Sequence, residues 1–213
     1  MMYLRKVFYN KYINYRRNVL NFFFASAHRK KLKKDFTIIS NNCWGGLLYP
    51  YYGLPYMSPT AGLYFFDEDY IKFVSNLEEY IQFDLKFINA YHSKHRKQLF
   101  EKGQEKCPIG VLGDVEIVFL HYKTQEEAKT KWDRRKQRIC WDNIILKFSQ
   151  SKKTKIEVME QFDKLPYKKV IFVIKDYHLK SQIIYPEYEK IGGILNDTDY
   201  ITKHFEPTAL INS

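Results

Sequence analysis

Apolar positions recur along this chain in two rhythms, one helical and one of short compact runs. From Tyr3 to Phe23 they fall near helical spacing, at Tyr3, Val7, Phe8, Tyr12, Tyr15, Val19, Leu20 and Phe23. Arg5, Lys6, Lys11, Arg16 and Arg17 occupy much of the remainder, so a basic amphipathic helix is expected over 3–26. Phe36–Ser40 is short and apolar and predicts a strand. Residues 41–62 are rich in Gly, Pro, Tyr and Asn and read as a long irregular loop, a feature that inside a compact domain is usually functional. Asp67 caps an expected helix over about 68–82, with Tyr70, Ile71, Val74, Leu77 and Ile81 as its buried stripe. Asp84–Ala90 reads as a second strand, and the polar, basic stretch His92–Lys106 as a surface excursion.

Further on, Val115–Leu120 predicts a strand entered through Pro108, Gly110 and Gly113. Thr124-Gln-Glu-Glu127 has the form of a capping box and starts a helix over about 125–139. A strand at Asn143–Phe148, a helix over about 154–163 and a strand at Val170–Ile174 follow, and the last 35 residues are turn-rich. Strands alternating with helices predict an α/β domain with a mainly parallel sheet and helices on both faces. Residues 1–35 form a basic helical arm and 36–213 a single domain. Ligands of such sheets gather at the carboxyl ends of the strands. Two segments are expected there, the loop after Ser40 and His121-Tyr122 after Leu120, and these are expected to share one sheet edge.

Charge sharpens the division. Of the net +11, residues 1–34 carry +10 and the remaining 179 residues +1. The excess is on the arm and not on the body, which argues against a nucleic-acid-binding domain and suits a helix lying on an anionic membrane surface. The apolar run at Val19–Ala27 is too short to span a bilayer. The cysteines Cys43, Cys107 and Cys140 are odd in number and match no zinc spacing, and no signal peptide is evident, so a reducing, cytoplasmic setting is expected.

Four groups of residues are candidates for chemistry. In Asn41-Asn42-Cys43-Trp44-Gly45-Gly46, a Cys just past a strand end can attack an electrophile if its thiolate is stabilised. The glycine amides and Asn42 can hold an oxyanion. Ser58 and Thr60, in Ser58-Pro59-Thr60-Ala61-Gly62, can meet a phosphate or a sugar hydroxyl, or can simply set a turn. His121, with Tyr122, has the side chain suited to a general base. Lys131, Arg134, Arg135 and Arg138 recur at helical spacing and suit phosphate through the guanidinium fork, or form a solvated face. Asp142 can pair with an Arg or orient a ligand. No dinucleotide fingerprint, Walker loop or nucleophile elbow is present, and no metal-ligand cluster has usable spacing.

Taken together, Ser40–Gly46, Tyr56-Met-Ser-Pro-Thr-Ala-Gly-Leu63, Pro108-Ile-Gly-Val-Leu-Gly-Asp114, Phe119-Leu-His-Tyr122 and Lys131-Trp-Asp-Arg-Arg135 with Asp142-Asn143 resemble a bacterial family of unassigned function. Its members are often labelled exopolysaccharide or capsular polysaccharide biosynthesis proteins. The resemblance spans roughly residues 36–175. The Asn42-Cys43 turn is also similar to a Gly-Asn-Cys-Gln turn in acetyltransferases of polysaccharide loci, although Trp44 stands where those proteins have Gln. These resemblances imply a transferase of cell-surface glycan synthesis, and the basic arm suggests a place at the cytoplasmic face of the inner membrane. Three expectations follow. The first is acyl transfer from a coenzyme A thioester, with Cys43 as nucleophile or donor contact, His121 as base, Asn42 and Gly45–Gly46 at the oxyanion, and the arginines on donor phosphates. The second is sugar transfer from a nucleotide sugar, with Asp142 or Asp67 near its diphosphate. The third is a non-catalytic protein that binds a glycan or phosphate.

Overall fold

The computed structural model describes residues 25–198 and 204–213 of the 213-residue chain. The helix expected over 3–26 lies almost wholly outside the described residues. A helix over 25–31 (α1) is followed by β1 (Thr37–Ser40), α2 (Trp44–Tyr52), β2 (Tyr64–Phe65), α3 (Asp67–Ser75), α4 (Leu77–Gln82) and β3 (Lys86–Ile88). Next come α5 (Arg96–Glu101), β4 (Ile109–Leu112), β5 (Val115–Val118), α6 (Gln125–Lys136) and β6 (Ile144–Ser149). The described chain ends with α7 (Ile156–Asp163), β7 (Lys168–Val173), β8 (Gln182–Ile184) and α8 (Thr208–Asn212).

The α/β class stands, but the strands divide equally between two sheets. One is parallel, in the order β1-β6-β7-β8, and the other is antiparallel, in the order β2-β5-β4-β3. The expectation of a mainly parallel sheet is therefore corrected. Its source is Pro108–Asp114, read above as the approach to a strand. Ile109–Leu112 is itself a strand, and it turns back into β5 through Gly113-Asp114, where Gly113 has φ 59°. That two-residue turn needs a positive φ, which glycine supplies without strain.

The segment 41–62 also departs from its reading as a loop, because α2 lies within it. Two glycines and Pro50 give this sequence poor helix propensity. Burial sustains the helix instead: Trp44, Leu48, Tyr49 and Tyr52 are all enclosed. Gly53 in the left-handed region ends it. The helix expected over 68–82 breaks at Asn76 into α3 and α4, and α5 lies within the presumed excursion. The capping of α6 is as expected, since the Thr124 hydroxyl accepts the Glu127 amide.

The period-two alternation of the parallel strands sorts two cores. Ile39, Leu146, Phe148, Ile171 and Val173 pack with residues of α3, α6, α7 and the antiparallel sheet. Ile38, Ile145, Val170 and Phe172 pack with Trp44, Leu48, Tyr49 and Tyr52 of α2 and with Ile211 of α8. The described end of the basic arm adds Ala25 and Leu32 to this second core, and its His28 lies 2.6 Å from the Tyr51 hydroxyl.

Strand β1 is at an edge, and its outward groups are answered locally. The Tyr49 hydroxyl accepts the Ile38 amide at 2.9 Å, the Thr60 hydroxyl accepts the Ser40 amide at 3.2 Å, and the Thr37 hydroxyl donates to Met57 at 2.9 Å. Covering an edge in this way removes a template for strand pairing. It also explains Gly45, where a Cβ would stand 2.8 Å from Ile38 Cγ2 and 2.9 Å from Ser40 Cβ. We predict that Gly45→Ala lowers the stability measured by urea unfolding by about 1–3 kcal/mol through overpacking of α2 on β1. An unchanged unfolding midpoint would contradict this packing account.

Candidate functional site

Just beyond β1, Asn41 extends the parallel pairing with its side chain. Its amide donates to the Lys147 carbonyl at 3.2 Å, its Oδ1 accepts the Ser149 amide at 2.9 Å, and its Nδ2 donates to the Ser149 carbonyl at 3.1 Å. Its own carbonyl accepts the Phe65 amide at 3.0 Å, which ties β2 of the second sheet to the end of β1. Asn41 is thus a clamp between strands and between sheets, with its polar atoms already engaged.

Asn42 begins the turn into α2. Its Oδ1 accepts the Trp44 amide at 3.2 Å and the Lys147 ammonium at 2.8 Å, and its Nδ2 donates to the two oxygens of Asp197 at 2.9 and 3.2 Å. Lys147 lies on the α2 side of β6, two residues beyond Ile145, and is fully buried. Its ammonium donates to Asn42, to the Ser149 hydroxyl and to the Asp197 carboxylate. It also lies 5.5 Å from the Trp44 ring centroid and 4.8 Å from that of Phe172. The Ser149 hydroxyl donates to the same oxygen of Asp197, at 2.5 Å. Three donors, from the turn after β1 and from β6, therefore converge on one carboxylate at the carboxyl edge of the parallel sheet.

Asp197 reaches this position on a C-terminal segment. Gly193 seats that segment against the chain after β6, where a Cβ would fall 2.3 Å from the Lys152 amide nitrogen. The Ile194 amide donates to the Gln150 carbonyl at 2.9 Å. Burial alone would raise the Asp197 carboxyl. The Lys147 charge and the hydrogen bonds from Asn42, Lys147 and Ser149 outweigh it and hold the group below the usual carboxylate range. Burial in turn pulls the Lys147 ammonium down from its ordinary value, against the opposing pull of Asp197.

Cys43 stands at the start of α2 but is not activated by this setting. Its thiol points at the Leu63 carbonyl, 3.9 Å away. Burial and the Asp197 charge push it up to about 11, and Lys147 offsets only part of that. Gly45 and Gly46 are accounted for by close packing, on β1 and on Ala61 respectively. Trp44 serves the second core and faces Lys147.

The other expected site residues lie elsewhere. His121 is exposed and follows β5 of the antiparallel sheet, so the expectation that it shares a sheet edge with Cys43 is corrected: β1 and β5 belong to different sheets. Ser58 and Thr60 are buried, with hydroxyls 3.0 Å apart, and cover the edge of β1. On α6, Arg134 is exposed, Lys131 pairs with Glu127, and Arg135 turns inward, towards Tyr122 and Ala61; Arg138, expected on the same face, lies exposed in the turn beyond the helix end. Asp142 is exposed just before β6, at the amino end of the parallel sheet and opposite Lys147. Asp67 accepts hydrogen bonds from the Ser151 and Thr154 hydroxyls, and burial raises its carboxyl. Among the described residues, no three His, Cys, Asp or Glu side chains are grouped to hold a metal ion.

Lys147, Ser149 and Asp197 are the residues the sequence reading passed over. A lysine inside the apolar run Ile144-Ile-Leu-Lys-Phe148 was a legible signal, because an unpaired charge is not tolerated in a buried strand. Asp197 carries no such mark.

A family model described as a domain of unknown function, DUF1919, matches residues 14–210. The chain belongs to this family. An uncharacterized protein of Haemophilus influenzae is 30% identical over 185 residues, which cover 84% of each chain. The match includes Asn42, Lys147, Ser149 and Asp197, so the cluster lies within the family domain and not in an appendage.

The state of Cys43 is open to direct measurement. Because its folded value is raised from 9.0 to about 11, thiolate accumulates only as pH rises through that range. Alkylation of Cys43 by iodoacetamide, followed by mass spectrometry, should keep increasing with pH well beyond 9.0 and still be rising at about 11, where half the thiol is ionised. A plateau below pH 9 would show an activated thiol and restore the nucleophile.

Proposed function

We propose that the chain is a transferase of bacterial cell-surface glycan synthesis, working at the cytoplasmic face of the inner membrane. In this reading it takes a phosphate-bearing donor at the carboxyl edge of the parallel sheet. The observation that carries it is the convergence of Lys147, Asn42 and Ser149 on the carboxylate of Asp197. Charge-assisted donors aimed at one oxyanion are what a diphosphate requires, and the carboxyl edge is where α/β sheets bind ligands. The carboxylate of Asp197 then stands where a donor phosphate would enter, and binding displaces it.

Both donor classes raised by the sequence, a coenzyme A thioester and a nucleotide sugar, contain a diphosphate. The raised Cys43 thiol works against a covalent acyl-cysteine intermediate and favours direct transfer from a nucleotide sugar. The inner-membrane setting rests on the charge of residues 1–34. Among the described residues no helix is long and apolar enough to cross a membrane.

Thermal unfolding with added nucleotide tests the reading. Uridine or guanosine diphosphate should raise the Tm of the wild-type chain and raise that of Asp197→Asn further, since a competing charge is gone. The shift should vanish in Lys147→Met, or in Asn42→Ala if the first variant does not fold. Stabilisation by coenzyme A alone would move the assignment to acyl transfer. Equal shifts with and without Lys147 would remove the site from the account.

A further inference from the structure

Arg135 is a second buried cation, and unlike Lys147 it is answered by no carboxylate among the described residues. It is 6% exposed. Its two hydrogen bonds both leave from Nη1, to the Ala61 carbonyl at 3.0 Å and to the Tyr122 hydroxyl. The Tyr122 hydroxyl in turn donates to Ala61 at 2.6 Å. Nε is buried and has no hydrogen-bond partner. The guanidinium carbon lies 4.4 Å from the ring centroid of Tyr56, a side chain 38% exposed, and 5.9 Å from that of Tyr122. Lys131, one turn earlier on α6, holds its ammonium 5.3 Å from the Tyr122 ring.

A guanidinium has two edges that can grip an oxyanion with paired N–H groups. Here Nη1 is committed to holding the Ala61 segment, and the edge formed by Nε and Nη2 is left over. Ring faces partly offset the desolvation of the cation, but an unpaired N–H at Nε has nothing to offset it. Tyr56, which also meets the Tyr49 ring at a centroid distance of 6.0 Å, is a part-exposed aromatic ring of the kind a sugar stacks on.

We propose that Arg135 and Tyr56 form a binding site for a sugar bearing an oxyanion, either a uronate or a sugar phosphate. The oxyanion takes the Nε–Nη2 edge, and the sugar ring packs on Tyr56, which shifts to admit it. Lys131 adds positive charge at the approach. The site is separate from the Lys147 cluster and lies against the segment Ser58–Gly62. That segment gives its Thr60 hydroxyl to β1 and its Ala61 carbonyl to Arg135. The inference goes beyond the donor site proposed above and does not depend on it; in a transferase of glycan synthesis it supplies the acceptor.

Titration calorimetry on the full chain with glucuronate, glucose 1-phosphate, glucose and inorganic phosphate tests it. Either anionic sugar should bind about tenfold or more tightly than glucose, as expected for a charge-assisted pair of hydrogen bonds, and which of the two binds identifies the oxyanion. Arg135→Lys, which keeps the charge but loses the second edge, should weaken that binding about tenfold or more. Tyr56→Ala, at an exposed position, should weaken the sugars and leave inorganic phosphate unchanged, and it serves if Arg135→Lys does not fold. Arg135→Lys should keep the rise in Tm that uridine or guanosine diphosphate gives the wild type, which separates failure here from failure of the donor site. Glucose binding as well as glucuronate and glucose 1-phosphate, or inorganic phosphate binding as well as its sugar ester, would overturn the proposal. Unchanged binding in Tyr56→Ala would also overturn it.

Discussion

The structure turns on a lysine ammonium held in a fully buried strand position. Lys147 cannot remain charged there without a counter-charge and hydrogen bonds, because removing such an ion from water costs several kcal/mol. Every neighbour that meets the need comes from a different part of the chain. Asn42 is supplied by the turn between β1 and α2, Ser149 by the end of β6, and Asp197 by a segment nearly fifty residues further on. One ammonium thereby fixes the start of α2, the end of the parallel sheet and the return of the C-terminal segment. A hydrophobic residue at position 147 would meet the packing requirement more simply. The proposed donor site rests on the retention of this charge at the edge where such sheets bind ligands.

The clamp formed by Asn41 gives the cluster its rigidity. Its side chain substitutes for a further pair of strand hydrogen bonds to Ser149, and its carbonyl receives the second sheet through Phe65. The turn carrying Asn42 is therefore anchored on both sides before the helix begins. Tyr70 adds a further tie from α3, with its hydroxyl 2.7 Å from the Ile39 carbonyl and 2.9 Å from that of Lys147. Preorganised donors of this kind keep their value when an anion arrives, because little of the site must be reordered.

Much of this framework was legible in the pattern of apolar positions. The strands β1, β5, β6 and β7, the capped helix α6 and the helix α7 lie near where their periodicity put them. The parallel character was over-read because Ile109–Leu112 contains Gly110, lies between Pro108 and Gly113, and looked like an approach to the next strand. Only its pairing with β5 makes it one. Helix α2 was invisible for a related reason: Gly45, Gly46 and Pro50 argue against a helix, and tertiary burial of Trp44, Tyr49 and Tyr52 overrides them. Asn42, in the segment after the first strand, was among the sequence candidates and does join the Lys147 cluster. The chemistry of the cluster was not legible, because Cys43 and the glycines stand out in sequence, whereas Lys147 depends on a carboxylate that no spacing connects to it. The inward turn of Arg135, against the outward Arg134 and Arg138, was equally hidden, since all three satisfy the same helical spacing.

The central claim is that the group of donors around Lys147 is an anion site which Asp197 occupies in the resting chain. A crystal structure of the Asp197→Ala variant grown with inorganic diphosphate tests it most directly. The account predicts a phosphate group within hydrogen-bond distance of the Lys147 ammonium, Asn42 Nδ2 and the Ser149 hydroxyl, with α2 and β6 unmoved. An empty cavity with Lys147 turned elsewhere, or diphosphate bound only at other sites, would contradict it and leave the cluster as a structural ion pair.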